Sequence, residues 1–293
     1  ELVRLRGNQR GLHLYDSQWN DDFHHALHVA TTGENQGHYY QDFADEPLHH
    51  VGRCLTRGFD YYGEFSKYRG RDRGGPYSVA SPFAFCNFSQ NHDQVGNRGL
   101  GDRLNVSHGA DAHWLCATIA WLAPGIPMLW MGEESGTKKP FPFFGDYPES
   151  LAPHVREGRK RDHAGLPGFD LPDIPDPVSR ETFLSAKLPG GVEDQAHADR
   201  VRGLLTVRRE RLAEHYRDLK ELRGEYVVEG ALLRAQWPLS DGSVLYLVAN
   251  FGAKEASTSP VLGDVIACTH EDTDVRSGVL PGYCAVYALE EAQ

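Results

Sequence analysis

Two short runs that are apolar on every face, PFAFCNF (82–88) and IPMLWM (126–131), constrain the fold more than any other feature. A strand with one wet face alternates apolar and polar residues. A run without alternation has to be covered on both sides, as in a parallel sheet flanked by helices. Between the two runs lies ADAHWLCATIAWLAPG (110–125), long enough for a helix and closed by Pro124 and Gly125. It supplies the crossover that parallel neighbours need. Strand, helix and strand in that order predict an α/β fold made of βαβ units.

The pattern continues on both sides. Upstream, GLHLYDSQW (11–19) predicts a short strand, NDDFHHALHVATTGE (20–34) a short helix and LHHVGRCLTRGF (48–59) a second helix. YRGRDRGGPYS (68–78), rich in Gly and Arg, predicts a loop without the pattern of a phosphate cradle. From Lys138 to Asp194 the chain shows little periodicity; a segment of that length is either a functional loop or carries short helices of its own. ADRVRGLLTVRRERLAEHYRDLKEL (198–222) predicts one amphipathic helix through Val201, Leu205, Leu212 and Leu219. After Gly224 the pattern changes to LLRAQW, VLYLVANF and CAVYAL, separated by turn residues such as Asp241 and Gly242. The expected division is an α/β part over 1–223 and a small all-β unit over 224–293.

The chain has 293 residues, of which 40% are hydrophobic, enough for a sizeable core. Its formal charge of -11 repels phosphate backbones and anionic membrane surfaces, so nucleic acid and lipid are poor partners and a neutral or cationic small ligand fits better. Cys54, Cys86, Cys116, Cys268 and Cys284 form no CxxC pair and lie mostly inside apolar runs. They read as reduced core residues of a cytoplasmic protein. No stretch approaches the roughly 18 unbroken apolar residues of a membrane span. The polar start ELVRLRGNQRG lacks both a Met and the character of a signal peptide.

In parallel α/β folds the functional residues gather where strands end and the following loops begin. Three predicted strands end in polar clusters: DSQWNDDFHH, SQNHDQ and MGEE. Carboxylates, amides and histidines there suit a hydroxyl-rich ligand, while Trp19, Phe23 and Trp130 offer flat apolar faces. Each cluster also has a plainer reading. Asn91, His92 and Asp93 can cap a helix or close a turn, and Glu133 and Glu134 can be solvated loop charges. His24, His25 and His28 have a helical spacing that can hold zinc, but the absence of HExxH and of an obvious third ligand argues against a metal. No nucleotide or organic cofactor motif is present.

The block FSQNHDQVGNRGLGDRL resembles the strand-seven signature of α-amylase-type glycoside hydrolases, in which His-Asp follows a buried strand. WNDDFHHALH (19–28), GENQGHYYQDF (33–43), PMLWMGEESG (127–136) before PFPFFGDYP, and VREGRKRD (155–162) are similar to blocks of the trehalose-releasing branch of that family. The resemblance implies the C-terminal part of a (β/α)8 barrel, from about strand 6 to helix 8, followed by a small β-sandwich. It implies retaining hydrolysis of the α-1,4 bond that joins a maltooligosaccharide to a terminal trehalose unit, with maltooligosyltrehalose or a related α-glucan as partner and no cofactor. Such chemistry uses a carboxylate nucleophile and a carboxylic acid about 5 to 5.5 Å apart.

Residue by residue, the resemblance makes Asp93 the third carboxylate, which tightens on sugar hydroxyls as the ring distorts toward its transition state. It places Trp19, Asp21, Asp22, Phe23, His24 and His25 on the segment after strand six. Asn91, His92, Gln94, Val95, Gly96, Asn97 and Glu133 belong to the substrate loops. The family's nucleophile and proton donor precede WNDDFHH, and Glu1, with no strand before it, does not match the donor. The chain therefore reads as a C-terminal fragment whose natural complement is the preceding part of its own polypeptide. It is expected to be inactive alone and prone to aggregation. Other α-amylase-type hydrolases, glucan-branching transferases and a catalytically silent carbohydrate-binding module are the competing readings.

Overall fold

The computed structural model describes residues 16–75, 80–168, 170, 173–270 and 273–292. The GLHLY half of the first predicted strand lies outside these; its end is strand β1 (Gln18–Trp19). Helix α1 (Asp21–Thr32) follows at once. The Asn20 side chain accepts from the Phe23 amide, Asp21 and Asp22 meet the positive end of the helix, and Gly33 closes it at φ 73°. Helix α2 (Pro47–Arg57) starts on a proline and ends at Gly58. Gly58 is obligatory twice over: its φ is 101°, and a Cβ there would lie 2.2 Å from the Phe85 ring.

Strand β2 (Tyr62–Ser66), just before the predicted Gly- and Arg-rich loop, pairs antiparallel with β3 (Arg71–Gly74), so the first part of that loop is the turn and second strand of a hairpin. Gly70 sits at the turn and Gly74 at the end of β3, which is why composition read as loop. PFAFCNF narrows to a 3-10 turn, Pro82–Ala84, and strand β4 (Phe85–Asn87). Next come a short helix, α3 (His92–Gly96), the long helix α4 (Gly109–Leu122) and strand β5 (Ile126–Pro127). β1, β4 and β5 form one parallel sheet in that order, as the apolar runs predicted, with Gln18 opposite Phe85 and Cys86 opposite Ile126. β5 is shorter than IPMLWM because the Glu133 carboxylate takes the Trp130 amide (2.6 Å).

The 138–194 segment carries helix α5 (Ala152–Asp162) and the short helix Arg180–Ser185. The single long helix expected after it is divided: α6 (Gln195–Val207), a π turn at Arg208–Leu212, and a last helical piece, Ala213–Asp218. At the π turn Arg208 donates to the carbonyls of Trp121 (2.7 Å), Ala123 (3.0 Å) and Gly125, which α4 leaves unpaired at its end.

After Gly224 come β6 (Glu225–Glu229), β7 (Leu232–Pro238), β8 (Val244–Asn250), β9 (Ala256–Ser257), β10 (Asp264–Cys268), β11 (Val279–Leu280) and β12 (Cys284–Glu290). Five of them make an antiparallel sheet ordered β10-β12-β8-β7-β6, and β9 pairs with β11 separately. Period-2 alternation gives this sheet two apolar faces. Leu233, Ala235, Trp237, Leu247 and Tyr287 join one core with α1, α2 and α4, while Leu232, Val248, Val286 and Leu280 form a second, smaller core. Trp237 is fully buried and donates to the Leu55 carbonyl (3.0 Å), so it packs the junction.

Candidate functional site

The loops that follow β1, β4 and β5 meet on one side of the parallel sheet. Asn20 fastens two of the strand ends: its amide N–H group donates to the Gly58 carbonyl (2.8 Å) and to Asn87 Oδ1 (2.9 Å), and its backbone N–H to the Cys86 carbonyl (2.9 Å). Glu133 fastens the other pair. Its carboxyl group accepts from Ser89 Oγ (3.1 Å), Gln90 Nε2 (2.9 Å) and the Trp130 amide, so the loops after β4 and β5 share one buried acceptor. Burial raises the Glu133 pKa, and these hydrogen bonds oppose the rise.

On this frame an exposed surface is assembled. The His92 ring stands edge-on to Trp19 at 5.6 Å and tilted against Trp130 at 5.7 Å. Asp93 is 62% exposed, its carboxylate 3.3 Å from His92 Nε2. Asn91 orients both residues by capping α3, accepting from the Gln94 amide (3.0 Å). Asp21 lies beside Asp93; burial, then the Asp93 charge, raises its pKa against the pull of Arg73.

Next to it a cleft of about 230 Å³ is lined by Trp19, Asp21, Asp22, Tyr61 and Arg73. Asp22 is buried at its base. It accepts from the amides of Asp60 (3.2 Å) and Tyr61 (3.4 Å), and Arg73 lies 3.4 Å away. Burial outweighs these contacts and pushes the Asp22 pKa up to about 6. Carboxylates, an imidazole and indole faces around an open cleft are equipped to hydrogen-bond hydroxyls and to pack the apolar face of a ring.

The remaining sequence-predicted residues lie beneath this surface. Phe23 and Val95 are core residues. His24 donates from Nδ1 to the Ser89 carbonyl (2.7 Å), while its Nε2 meets the Tyr40 hydroxyl (3.1 Å). Gln94 accepts from that hydroxyl (3.2 Å), and Gly96 offers its carbonyl to Arg159 (2.6 Å). Asn97 bridges Tyr39 (3.4 Å) and His163 (3.1 Å). His25 stacks on Tyr39 at 4.2 Å, and both of its ring nitrogens are buried without a hydrogen-bond partner among the described residues. Burial lowers the pKa of both His24 and His25, so the rings are neutral. Phe23, His24, Gln94, Val95 and Glu133, expected at the ligand, are all buried here: His24, Gln94 and Glu133 hydrogen-bond within the frame, and Phe23 and Val95 pack in the core. Glu133 in particular is no solvated loop charge.

Sequence reading missed Arg73, assigned to a loop, and Tyr61. The signal for Arg73 was the alternation in RDRG, which places Arg71 and Arg73 on one face of β3. Among the described residues no group of three or more His, Cys, Asp or Glu is placed to hold a metal ion, and no helix is long and apolar enough to cross a membrane.

Comparison with known proteins adds independent observations. A family model described as "Domain of unknown function (DUF3459)" matches residues 221–287. The malto-oligosyltrehalose trehalohydrolase of Deinococcus radiodurans is 38% identical over 217 residues, covering 71% of this chain and 35% of that protein. Those of Rhizobium sp. (strain M-11) and Mycobacterium tuberculosis (strain H37Rv) are 41% and 34% identical, covering 66% and 85% of this chain. The chain thus spans about a third of the length of the first of these relatives. A solved Salmonella typhimurium protein provisionally assigned as an alpha amylase superposes with a TM-score of 0.85 at 36% identity, covering 97% of this chain and 48% of that one. A trehalose-6-phosphate hydrolase from Bacillus licheniformis shares the fold alone, with a TM-score of 0.53 at 16% identity.

Proposed function

We propose that this chain, a relative of the malto-oligosyltrehalose trehalohydrolases within the α-amylase-type glycoside hydrolases, forms the sugar-holding side of such an enzyme's active site. The observation that carries the reading is the meeting of three parallel-strand ends at Trp19, His92–Asp93 and Trp130. In this reading β1, β4 and β5 are the sixth to eighth strands of a (β/α)8 barrel. Residues 224–293 are the β-domain that follows it in the cytoplasmic enzyme. The reaction is retaining hydrolysis of the α-1,4 bond next to the terminal trehalose of maltooligosyltrehalose.

The nucleophile and the proton donor come from the part of the enzyme that this chain does not span. Asp93 supplies the third carboxylate: being exposed, it accepts hydrogen bonds from sugar hydroxyls that strengthen as positive charge develops on the ring. His92 and the two indoles fix the ring against which this happens, and Asp21 and Asp22 line the adjoining cleft.

The test is Asp93→Asn in a polypeptide that includes the preceding region, assayed for trehalose release from maltooligosyltrehalose. The rate is expected to fall about 10²-fold or more, with KM changing much less. An unchanged kcat refutes the role of Asp93, and branched glucan in place of trehalose refutes the reaction.

A further inference from the structure

The edge strand β10 of the C-terminal sheet and its neighbour β12 bring two of the five cysteines together. β10 and β12 run antiparallel with Cys268 opposite Val286, so Cys284 lies two residues along the partner strand, on the same face. That face turns to the smaller apolar core, in which Cys284 is fully buried, while Cys268 packs at its margin and stays half-buried. The Cys268 thiol donates to the His270 carbonyl (3.2 Å). The His270 amide donates to Cys268 Sγ (3.4 Å), and Arg200 donates to the neighbouring Thr269 carbonyl.

Cys284, diagonal to it on the neighbouring strand, is the largest influence on the Cys268 thiol. Against the opposing effect of burial, and with help from the His270 amide and the Arg200 charge, it holds that thiol below the usual range. Cys284 moves the other way, and burial pushes up Cys54, Cys86 and Cys116. A partly exposed thiol near positive charge, with a second thiol on the same face of the adjacent strand, is the arrangement of an attacking and a resolving cysteine.

We propose that Cys268 and Cys284 are a dithiol site that closes reversibly to a disulfide by exchange with a glutathione-type low-molecular-weight disulfide. The Cys268 thiolate attacks one sulfur of the oxidant, forming a mixed disulfide and releasing one thiolate. Cys284, giving up its proton to the departing thiolate, then attacks Cys268 Sγ, forming the protein disulfide and expelling the second external thiol. Two protein thiols are oxidised and one external disulfide is reduced to two thiols. The product ties edge strand β10 to its neighbour β12 on the face that lines the small core. The inference does not depend on the carbohydrate reading.

The experiment is exposure of the full chain, reduced and folded, to oxidised glutathione, followed by acid quenching, maleimide labelling in denaturant and peptide mass spectrometry. A Cys268–Cys284 linked peptide is expected, with Cys54, Cys86 and Cys116 labelled as thiols and reacting on the order of tenfold slower or less. Cys284→Ser should accumulate the glutathione adduct on Cys268, and Cys268→Ser should leave Cys284 labelled. In guanidinium all five cysteines should react alike, which confirms that selectivity comes from the fold. The inference is overturned if Cys268 in the wild-type chain stops at the glutathione adduct. Equal reaction of all five cysteines in the folded chain, or loss of the linked peptide to some other pair, overturns it as well.

Discussion

Asp22 and Asp93 are carboxylates of the same surface with opposite surroundings. Asp93 stands in water beside His92, whereas Asp22 is buried and its pKa rises to about 6. The sign follows from linkage: between the unfolded value of 3.8 and about 6 the folded state binds the extra proton, so stability is greatest below that interval and falls as pH rises through it. The span corresponds to about 3 kcal/mol lost by neutral pH. Asp22→Asn keeps an acceptor for the Asp60 and Tyr61 amides without the charge. Because the buried neutral His24 and His25 contribute the opposite slope over this range, the Asp22 contribution is read as a difference: denaturant unfolding between pH 4 and 7 is expected to show the stability of the variant rising relative to wild type as pH rises. Equal slopes in the two proteins would remove Asp22 as the source. His92, Asp93 and Trp19 were all legible as a cluster after apolar runs. What the sequence did not show was which members of each cluster are consumed by the frame, because that depends on partners 40 or more residues away, as in the Ser89–Glu133 bond.

Glu133 shows how such a frame works at the scale of elements. Three donors from two loops end on its carboxylate, so Glu133→Ala leaves buried donors unpaired at a cost of about 1–3 kcal/mol each. We expect a lowered midpoint of unfolding together with a changed Trp130 fluorescence, since the Trp130 amide loses its acceptor; a variant with wild-type stability and emission would show that the loops hold without it. Gly58→Ala tests the neighbouring joint between α2 and the sheet. A methyl 2.2 Å from the Phe85 ring, on a backbone at φ 101°, should destabilise by several-fold more than a surface substitution, about 3 kcal/mol or more by denaturant titration.

The helices and the β7, β8 and β12 strands were readable from their periodicities because the packing that selects them is local to one face. The β2–β3 hairpin and the π turn were not. Glycine-rich composition hides a hairpin whose stability rests on Tyr61, Asp22 and Arg73. The π turn exists because Arg208 reaches the end of α4, more than 80 residues earlier.

For the whole molecule, the change of pattern at Gly224 marks a change of secondary structure without a break in packing. Leu55 of α2, Ile119 of α4 and Leu212 lie in one apolar cluster with Leu233, Trp237, Leu245 and Tyr287 of the sheet. The polar bonds cross the same boundary: Trp237 Nε1 donates to Leu55, and the Tyr287 hydroxyl donates to the Ile119 carbonyl (3.3 Å). Truncation after residue 223 therefore removes one wall of the main core, stranding an indole-sized void against α2 and exposing the inner face of α4. Loss of Trp237 alone is a change in the class that costs about 3–5 kcal/mol, comparable with the whole stability of many domains. We expect the intact chain to lose near-UV circular dichroism and secondary structure in one coincident denaturant transition, and a 1–223 polypeptide to show no cooperative transition under the same conditions. Two separated transitions in the intact chain, or a sigmoidal transition in the truncated one, would mean that the sheet is an independent unit resting on the helices. A single transition would mean that the surface formed by Trp19, His92 and Asp93 owes its rigidity to strands that lie far from it in sequence and on the other side of α4.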